Sequence, residues 1–298
     1  MTTEDKLSSK GSCDAGLGVS EGVRWSDRAL VAYGRAFEHP SKIRIVRWLV
    51  RRLAGGTVCV RYAPGAVISI DPSEYIGWAI FRTGQYEPAS LSLALRIVRE
   101  EPGLFIDVGA NFGWYTCAVG AIAGASVVSI EPDCENCALL RRNIALNNLQ
   151  NVVVFNGAVG PDFAPVRIGR RARGNSGTVA IDLGDLQPGR PADWVATVPL
   201  EGLLKRVICP PARPVLLKID VEEFEHQVLS GLDFEGPFRP KNILMEFDRQ
   251  LSAWRSFGDL QSFFAAHGYE LLDVFGNPLR DGGEVPEANV WARERKAG

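Results

Sequence analysis

Phe105-Ile106-Asp107-Val108-Gly109-Ala110-Asn111-Phe112-Gly113-Trp114-Tyr115-Thr116 is the stretch from which the fold can be read. An apolar run ends in Asp107, two glycines follow within six residues, and an apolar helical pattern begins after them. That order describes a buried strand, a tight glycine turn and a helix N-terminus. In an open α/β sheet such a turn sits at the carboxyl edge of the strand, where ligands bind.

Working outward, the alternation continues. The patterns predict strands at Leu104–Val108, Ser126–Ile130, Val152–Phe155, Val215–Ile219, Asn242–Phe247, Tyr269–Val274 and Asn289–Arg293. Helical patterns separate the first five: Trp114–Ala123, the segment through Asn147 with Asp133 as N-cap, and a helix whose first turn carries Glu222, Glu223 and Glu225. Leu260–His267 reads as a further helix, stopped by Gly268. Strands separated by helices give a mostly parallel sheet with helices on both faces, here seven strands closing on a hairpin-like pair. Residues 160–200 are less regular and hold short strand candidates at Val166–Ile168, Thr178–Ile181 and Val195–Val198, with a basic loop from Arg170 to Gly177.

Upstream, residues 1–22 are polar and small and read as a disordered tail. Residues 23–100 read as an extension before the main domain at 101–298. Trp25–Leu53 is helical in pattern, and its second half (41–53) interleaves basic and apolar residues, which suits either a packed helix with a solvated basic face or contact with a membrane surface. Thr57–Tyr62 and Ala66–Ile70 read as a β-hairpin, and Pro88 opens a helix with Leu91, Ala94, Leu95 and Val98 on one face.

The totals narrow the function. With 33 Lys+Arg against 35 Asp+Glu, there is no basic excess to neutralise nucleic acid. Apolar runs are strand-length, too short to span a membrane, and the N-terminus has no hydrophobic signal core, so a cytoplasmic protein is expected. Six cysteines do not make a disulfide scaffold, and Cys134-x-x-Cys137 lacks a second pair at zinc spacing, so no metal centre is expected there.

The ligand follows from the turn's chemistry. A pyrophosphate site wants G-x-G-x-x-G; here only Gly109 and Gly113 are present, and the acidic Asp107 stands before them. An anion there suits a cationic ligand. Glu131, 24 positions on at the end of the second strand, suits a ribose diol. Ribose, ammonium and no phosphate point to S-adenosylmethionine.

At this point the chain resembles the FkbM-type methyltransferases. The matching residues are Tyr75-Ile76-Gly77, Thr83–Pro88, Phe105–Thr116, Ile130–Asp133, Asn175-Ser176-Gly177, Leu217–Glu222 with Phe224-Glu225, and Met245-Glu246, spread over roughly 57–250. The family usually has glycine where this chain has Glu223. The resemblance implies a Rossmann-like class I methyltransferase sheet and methyl transfer, commonly to a hydroxyl of a sugar, glycan or small natural-product acceptor. It implies that Asp107, Gly109, Asn111 and Gly113 surround the methionine part of the cofactor, that Glu131 binds its ribose, and that Asn156 and Ala158 border the adenine.

For the chemistry, strand-end carboxylates are the candidate bases: Asp220, Glu222 and Glu246. Such a pair can equally hold Mg²⁺, and Asp220 can equally be a helix N-cap. His226 is a further candidate base behind Asp220, but four residues after Glu222 it reads equally well as that residue's partner across one helical turn. Two other classes stand beside this reading. One is a nicotinamide-dependent oxidoreductase, disfavoured by the missing third glycine and the lack of a Tyr-x-x-x-Lys pair; the other is a non-catalytic cofactor-binding protein.

Overall fold

The computed structural model describes residues 23–36, 41–63, 65–170, 179–181, 193–208, 212–247, 254, 256–280 and 285–295. The predicted tail 1–22, the Asn175-Ser176-Gly177 motif and the basic loop beyond Arg170 fall outside them.

Four helices and a hairpin come first: α1 (Trp25–Arg35), α2 (Lys42–Ala54), β1 (Val58–Ala63), β2 (Ala66–Ile70), α3 (Tyr75–Thr83) and α4 (Pro88–Glu100). The single helical pattern expected over 25–53 is thus two helices packed on one another. The main sheet then begins with β3 (Leu104–Val108), α5 (Trp114–Gly120), β4 (Ser126–Ile130), α6 (Cys134–Leu146) and β5 (Val152–Phe155). Next come β6 (Ala158–Gly160), β7 (Ala164–Arg170), β8 (Val179–Ile181), β9 (Asp193–Pro199) and α7 (Leu200–Val207). The chain ends with β10 (Pro214–Ile219), α8 (Glu225–Ser230), β11 (Asn242–Glu246), α9 (Phe257–Ala266), β12 (Tyr269–Leu272) and β13 (Asn289–Glu294).

The seven-stranded sheet has the order β12-β13-β11-β10-β3-β4-β5. Only β13 runs against the rest, inserted between β11 and β12. The α/β, mostly parallel sheet read from the sequence is therefore present, final antiparallel pair included. The irregular stretch forms a second sheet, β6-β9-β7-β8.

Every residue of β3 and of β10 is buried. That is what a parallel strand covered on both faces requires, and it explains why both are apolar apart from Asp107 and Lys218. Side chains alternate between two cores. Phe105 and Leu216 join the cluster containing Val46, Ile68, Ile80 and Val98, so the N-terminal elements cover one face. Ile106, Leu217 and Ile219 join the other cluster, with Val228, Leu229 and Phe264.

Polar clamps fix the extension. Among the described residues β2 pairs only with β1; the amides of Asn143 in α6 and of Asn147 just beyond it meet its other edge. Asn143 Oδ1 accepts from the Ser69 N–H and Asn147 Oδ1 from the Val67 N–H, both at 2.8 Å. The Nδ2 groups return hydrogen bonds to the carbonyls of the same two residues. Glu287 caps α4, accepting from the N–H groups of Ala89 and Ser90.

The chain runs outward from β3 through β4 to β5, then restarts at β10 and runs the other way to β11. The reversal lies between β3 and β10, the place where ligands bind in open α/β sheets.

Candidate active site

At that reversal two backbone turns touch. Gly109, just after β3, has φ of 80°, and a Cβ there would lie 1.8 Å from the Asp220 carbonyl oxygen after β10. Only glycine satisfies both demands. Gly113 has φ of 95°, and a Cβ there would meet Leu140 Cδ1 at 2.7 Å, so this glycine seats α5 against α6. Neither is spaced for a pyrophosphate; both are required by packing.

A cleft of about 980 Å³ opens above these turns. Of the residues expected to bind a cofactor, Asp107, Gly109, Asn111, Glu131 and Ala158 line it. Asn136, Tyr86, Trp114 and Tyr115 line it too. Gly113 acts behind the wall. Asn156 is exposed and donates from Nδ2 to the backbone carbonyls of Glu131 and Pro132, at 2.8 and 3.3 Å. It props the β4 exit rather than lining the cleft.

Glu131 is 3% exposed, and both its oxygens are in use. Oε2 accepts from the Asn111 N–H at 2.7 Å and Oε1 from the Asp133 N–H at 2.9 Å. Burial outweighs these bonds and lifts its pKa to about 8. Asp133 caps α6 as expected, accepting from the Asn136 N–H at 2.8 Å. Asn111 takes a left-handed conformation (φ 51°), and its buried Oδ1 has no hydrogen-bond partner among the described residues. Asp107 accepts from Thr116 Oγ1 at 2.6 Å, and Thr116 is bridged to Ser129. Burial raises the Asp107 pKa against the pull of Lys218 and the Thr116 bond.

The candidate bases meet at the other side. Asp220, Glu222 and Glu246 all line the cleft, and Asp220 and Glu246 are hydrogen-bonded to each other. Beneath them Lys218, 1% exposed, donates to Asp220 Oδ2 at 2.7 Å and lies 4.5 Å from the centre of the Tyr115 ring. The charges sort themselves accordingly. Burial opposes the Asp220 carboxylate, but Lys218 and the Glu246 hydrogen bond prevail and hold its pKa below the usual range. The Asp220 charge, then burial and Glu222, push Glu246 up to about 10. At neutral pH the pair therefore carries one proton, on Glu246, which donates to an ionised Asp220. Tyr115 Oη donates to Glu87 Oε2 at 2.7 Å, bringing a further acid towards Lys218; burial leads in raising the Glu87 pKa.

Two expectations about this corner are corrected. Glu222 and Glu223 are not in a helical turn: α8 starts at Glu225 with Phe224 as N-cap, so Asp220 is no cap either. Both glutamates are left-handed, with φ of 51° and 73°. Glu223 thus holds the conformation glycine favours, the residue usual there among the proteins the sequence resembles. The Glu225 carboxylate accepts from the N–H groups of Val221 and Glu223, bracing the turn, while burial lifts its pKa to about 7. With Glu222 outside α8, the helical Glu222–His226 pair does not form; His226 instead packs edge-on against Trp254, ring centres 4.9 Å apart.

Lys218, Glu87 and Tyr115 were missed by the sequence reading. Lys218 had a signal: a lysine in the middle of an otherwise apolar strand must have a buried anion for company.

The model of the methyltransferase FkbM domain matches residues 107–271, more than half of the chain. The chain belongs to this family. As an FkbM-domain methyltransferase it uses S-adenosylmethionine, and the oxidoreductase reading loses its support. No curated protein matches the chain. Solved structures of similar outline include M. jannaschii TYW2 in complex with AdoMet, 13% identical, covering 80% of this chain and 83% of that one, with TM-score 0.39. Another is the METTL16 methyltransferase domain, 13% identical, covering 86% and 80%, with TM-score 0.45. The strand order carries the fold without them. Among the described residues no group of three or more His, Cys, Asp and Glu is placed to hold a metal ion, and no helix is long and apolar enough to cross a membrane.

Proposed function

We propose that this FkbM methyltransferase methylates a hydroxyl of a sugar, glycan or other small natural-product acceptor, with Asp220 taking the hydroxyl's proton. The observation that carries the reading is the Lys218–Asp220–Glu246 array at the sheet's reversal: a carboxylate kept ionised by a buried ammonium and by a neutral carboxylic acid. A hydroxyl is the nucleophile that needs such a group, because it must lose a proton as it attacks. A positioned base typically adds about 10²–10⁴-fold to such a step.

The cleft suits the cofactor on its own residues. Besides its two backbone bonds and one from the Asn136 side chain, the Glu131 carboxylate keeps acceptor capacity for a ribose hydroxyl. The buried, unpartnered Asn111 Oδ1 and the Asp107 carboxylate suit the amino-acid end of the molecule. Ala158, small and buried beside Pro132, leaves room for the flat base. S-adenosylmethionine supplies the electrophilic methyl group on its sulfonium. The protein's own work is alignment and proton transfer; alignment alone is worth up to about 7–11 kcal/mol.

In this scheme Asp220 accepts the proton beside Glu246, which already carries its own. Lys218 keeps the array near neutral. Glu222 borders the same space and tunes Glu246 through its charge. The donors do not suit Mg²⁺: an ammonium already occupies Asp220 Oδ2, and Glu246 holds a proton.

The test is methyl transfer from labelled S-adenosylmethionine into a glycan fraction, run beside calorimetry with S-adenosylhomocysteine. Asp220→Asn is expected to bind the product normally and to lose about 10²–10⁴-fold in turnover. Full turnover in that variant would remove Asp220 from the role. Binding of NADH without S-adenosylhomocysteine would remove the whole reading.

A further inference from the structure

We propose that the outward face of α2 is a docking surface for an anionic phospholipid bilayer. One face of this helix is spent on the core: Val46, Val50 and Ala54 are buried. The opposite side is not the solvated polar surface that ordinarily completes such a helix. It carries Trp48 at 64% exposure and Ile45 at 38%, and Leu53, at 58%, flanks it in the last turn. At 100° per residue Trp48 and Ile45 lie within about 60° of each other with Arg52 between them, Arg44, Arg47 and Arg51 fill the sector beyond Trp48, and Leu53 lies round towards the buried face.

The segment 41–54 contains five basic residues and no acid, in a chain whose net charge is −2. Two of the five have structural tasks. Lys42 is buried and donates to the Ala36 carbonyl at 3.0 Å, and Arg47 donates to the Ser73 carbonyl at 2.9 Å. Arg44, Arg51 and Arg52 make no ion pair among the described residues. Two exposed aromatic rings stand on neighbouring elements. Trp25, 82% exposed, opens α1, which packs on α2; Tyr75, 68% exposed, opens α3 two residues beyond Ser73.

Apolar side chains that enter the acyl boundary, an aromatic ring at headgroup depth, and arginines beside them are what an interfacial helix presents to anionic lipid. A second copy of the chain fits worse, since a two-fold contact would bring each basic strip onto its twin. A nucleic acid would use the arginines and stack on Trp48, but has nothing to gain from Ile45 and Leu53. The Arg47–Ser73 contact sets this face three residues from Ile76, which lines the cleft. The inference concerns attachment and does not depend on which acceptor is methylated.

The test is flotation of the full chain with vesicles of phosphatidylcholine alone or mixed with phosphatidylglycerol. The wild-type chain is expected to float with the mixed vesicles and stay behind with phosphatidylcholine. Reversing three arginines (Arg44→Glu, Arg51→Glu, Arg52→Glu) is expected to weaken partitioning by more than about 100-fold, at roughly fivefold or more per charge. Trp48→Ala should weaken it at low and high salt alike, whereas the arginine effect should fade as salt rises. Circular dichroism and S-adenosylhomocysteine binding check that the variants fold; if the triple variant does not, Arg52→Glu and Trp48→Ala carry the same comparison. No flotation of the wild type, or flotation indifferent to these changes, overturns the proposal. So does capture of an RNA oligonucleotide, or a dimer dissolved by Trp48→Ala, when either occurs without vesicle binding.

Discussion

Glu246→Gln isolates the shared proton. In the folded protein the Asp220 charge and burial lift Glu246 to about 10, whereas an unfolded glutamate titrates near about 4.3. Between those values the folded state keeps a proton that the unfolded chain has released. The stabilising effect of that protonation is complete below the unfolded pKa and is lost as pH rises towards the folded one. Over that window one such group lowers stability by about 1.4 kcal/mol per pH unit. Glutamine cannot titrate, yet its amide can still donate to Asp220. Its stability relative to wild type should therefore climb by about 2.7 kcal/mol between roughly pH 6 and pH 8. Glu131 and Glu225, raised to about 8 and about 7, slope both proteins alike and drop out of the difference. Urea denaturation of the two proteins across this range reads the effect directly. Parallel curves would mean that Glu246 ionises as an ordinary glutamate, and the one-proton description of the pair would be wrong.

Three more expectations follow from the same cleft. Lys218→Met strands the Asp220 charge and should cost about 3–5 kcal/mol at neutral pH. Lys218 and Asp220 are each shifted towards the charged form, so this loss should shrink below the ordinary carboxylate range, as Asp220 gains its proton; denaturation at pH 7 and at acid pH checks it. If Glu131 must be ionised to accept a ribose diol, S-adenosylhomocysteine affinity should rise about tenfold per pH unit up to about 8 and then level off, as measured by calorimetry. A flat profile would show that the acid binds equally well protonated. Gly109→Ala should abolish cofactor binding and lower the melting temperature, since its Cβ would sit 1.8 Å from the Asp220 carbonyl oxygen at a φ of 80°.

How far the sequence carried the fold depends on the residue. β3 and β10 are legible because both faces are covered and apolar runs have no competing reading. The Asp133 cap is legible because its hydrogen bond is local. Glu222 and Glu223 misled because acids before a helical pattern look like a first turn, while the backbone at both residues is left-handed and α8 starts later. No local pattern announces a positive φ at a non-glycine residue. The Lys218–Asp220 contact joins residues two apart at the end of β10, yet its partner Glu246 comes from β11 and its neighbour Glu87 from the extension. Such an array is a property of the sheet's register, visible only once β10 lies between β3 and β11.

The contact between Gly109 and the Asp220 carbonyl also ties the two halves of the site into one piece. The turn proposed to face the methyl donor and the strand end proposed to face the acceptor meet main chain to main chain, and the Asp220 N–H donates to the Val108 carbonyl at 3.0 Å. On the proposed roles, the spacing between the donor turn and the main chain of the base is set by this contact and hydrogen bond. Acceptor range in such an enzyme can drift only through what lies over the cleft. Damage on either turn will show up kinetically on both substrates at once.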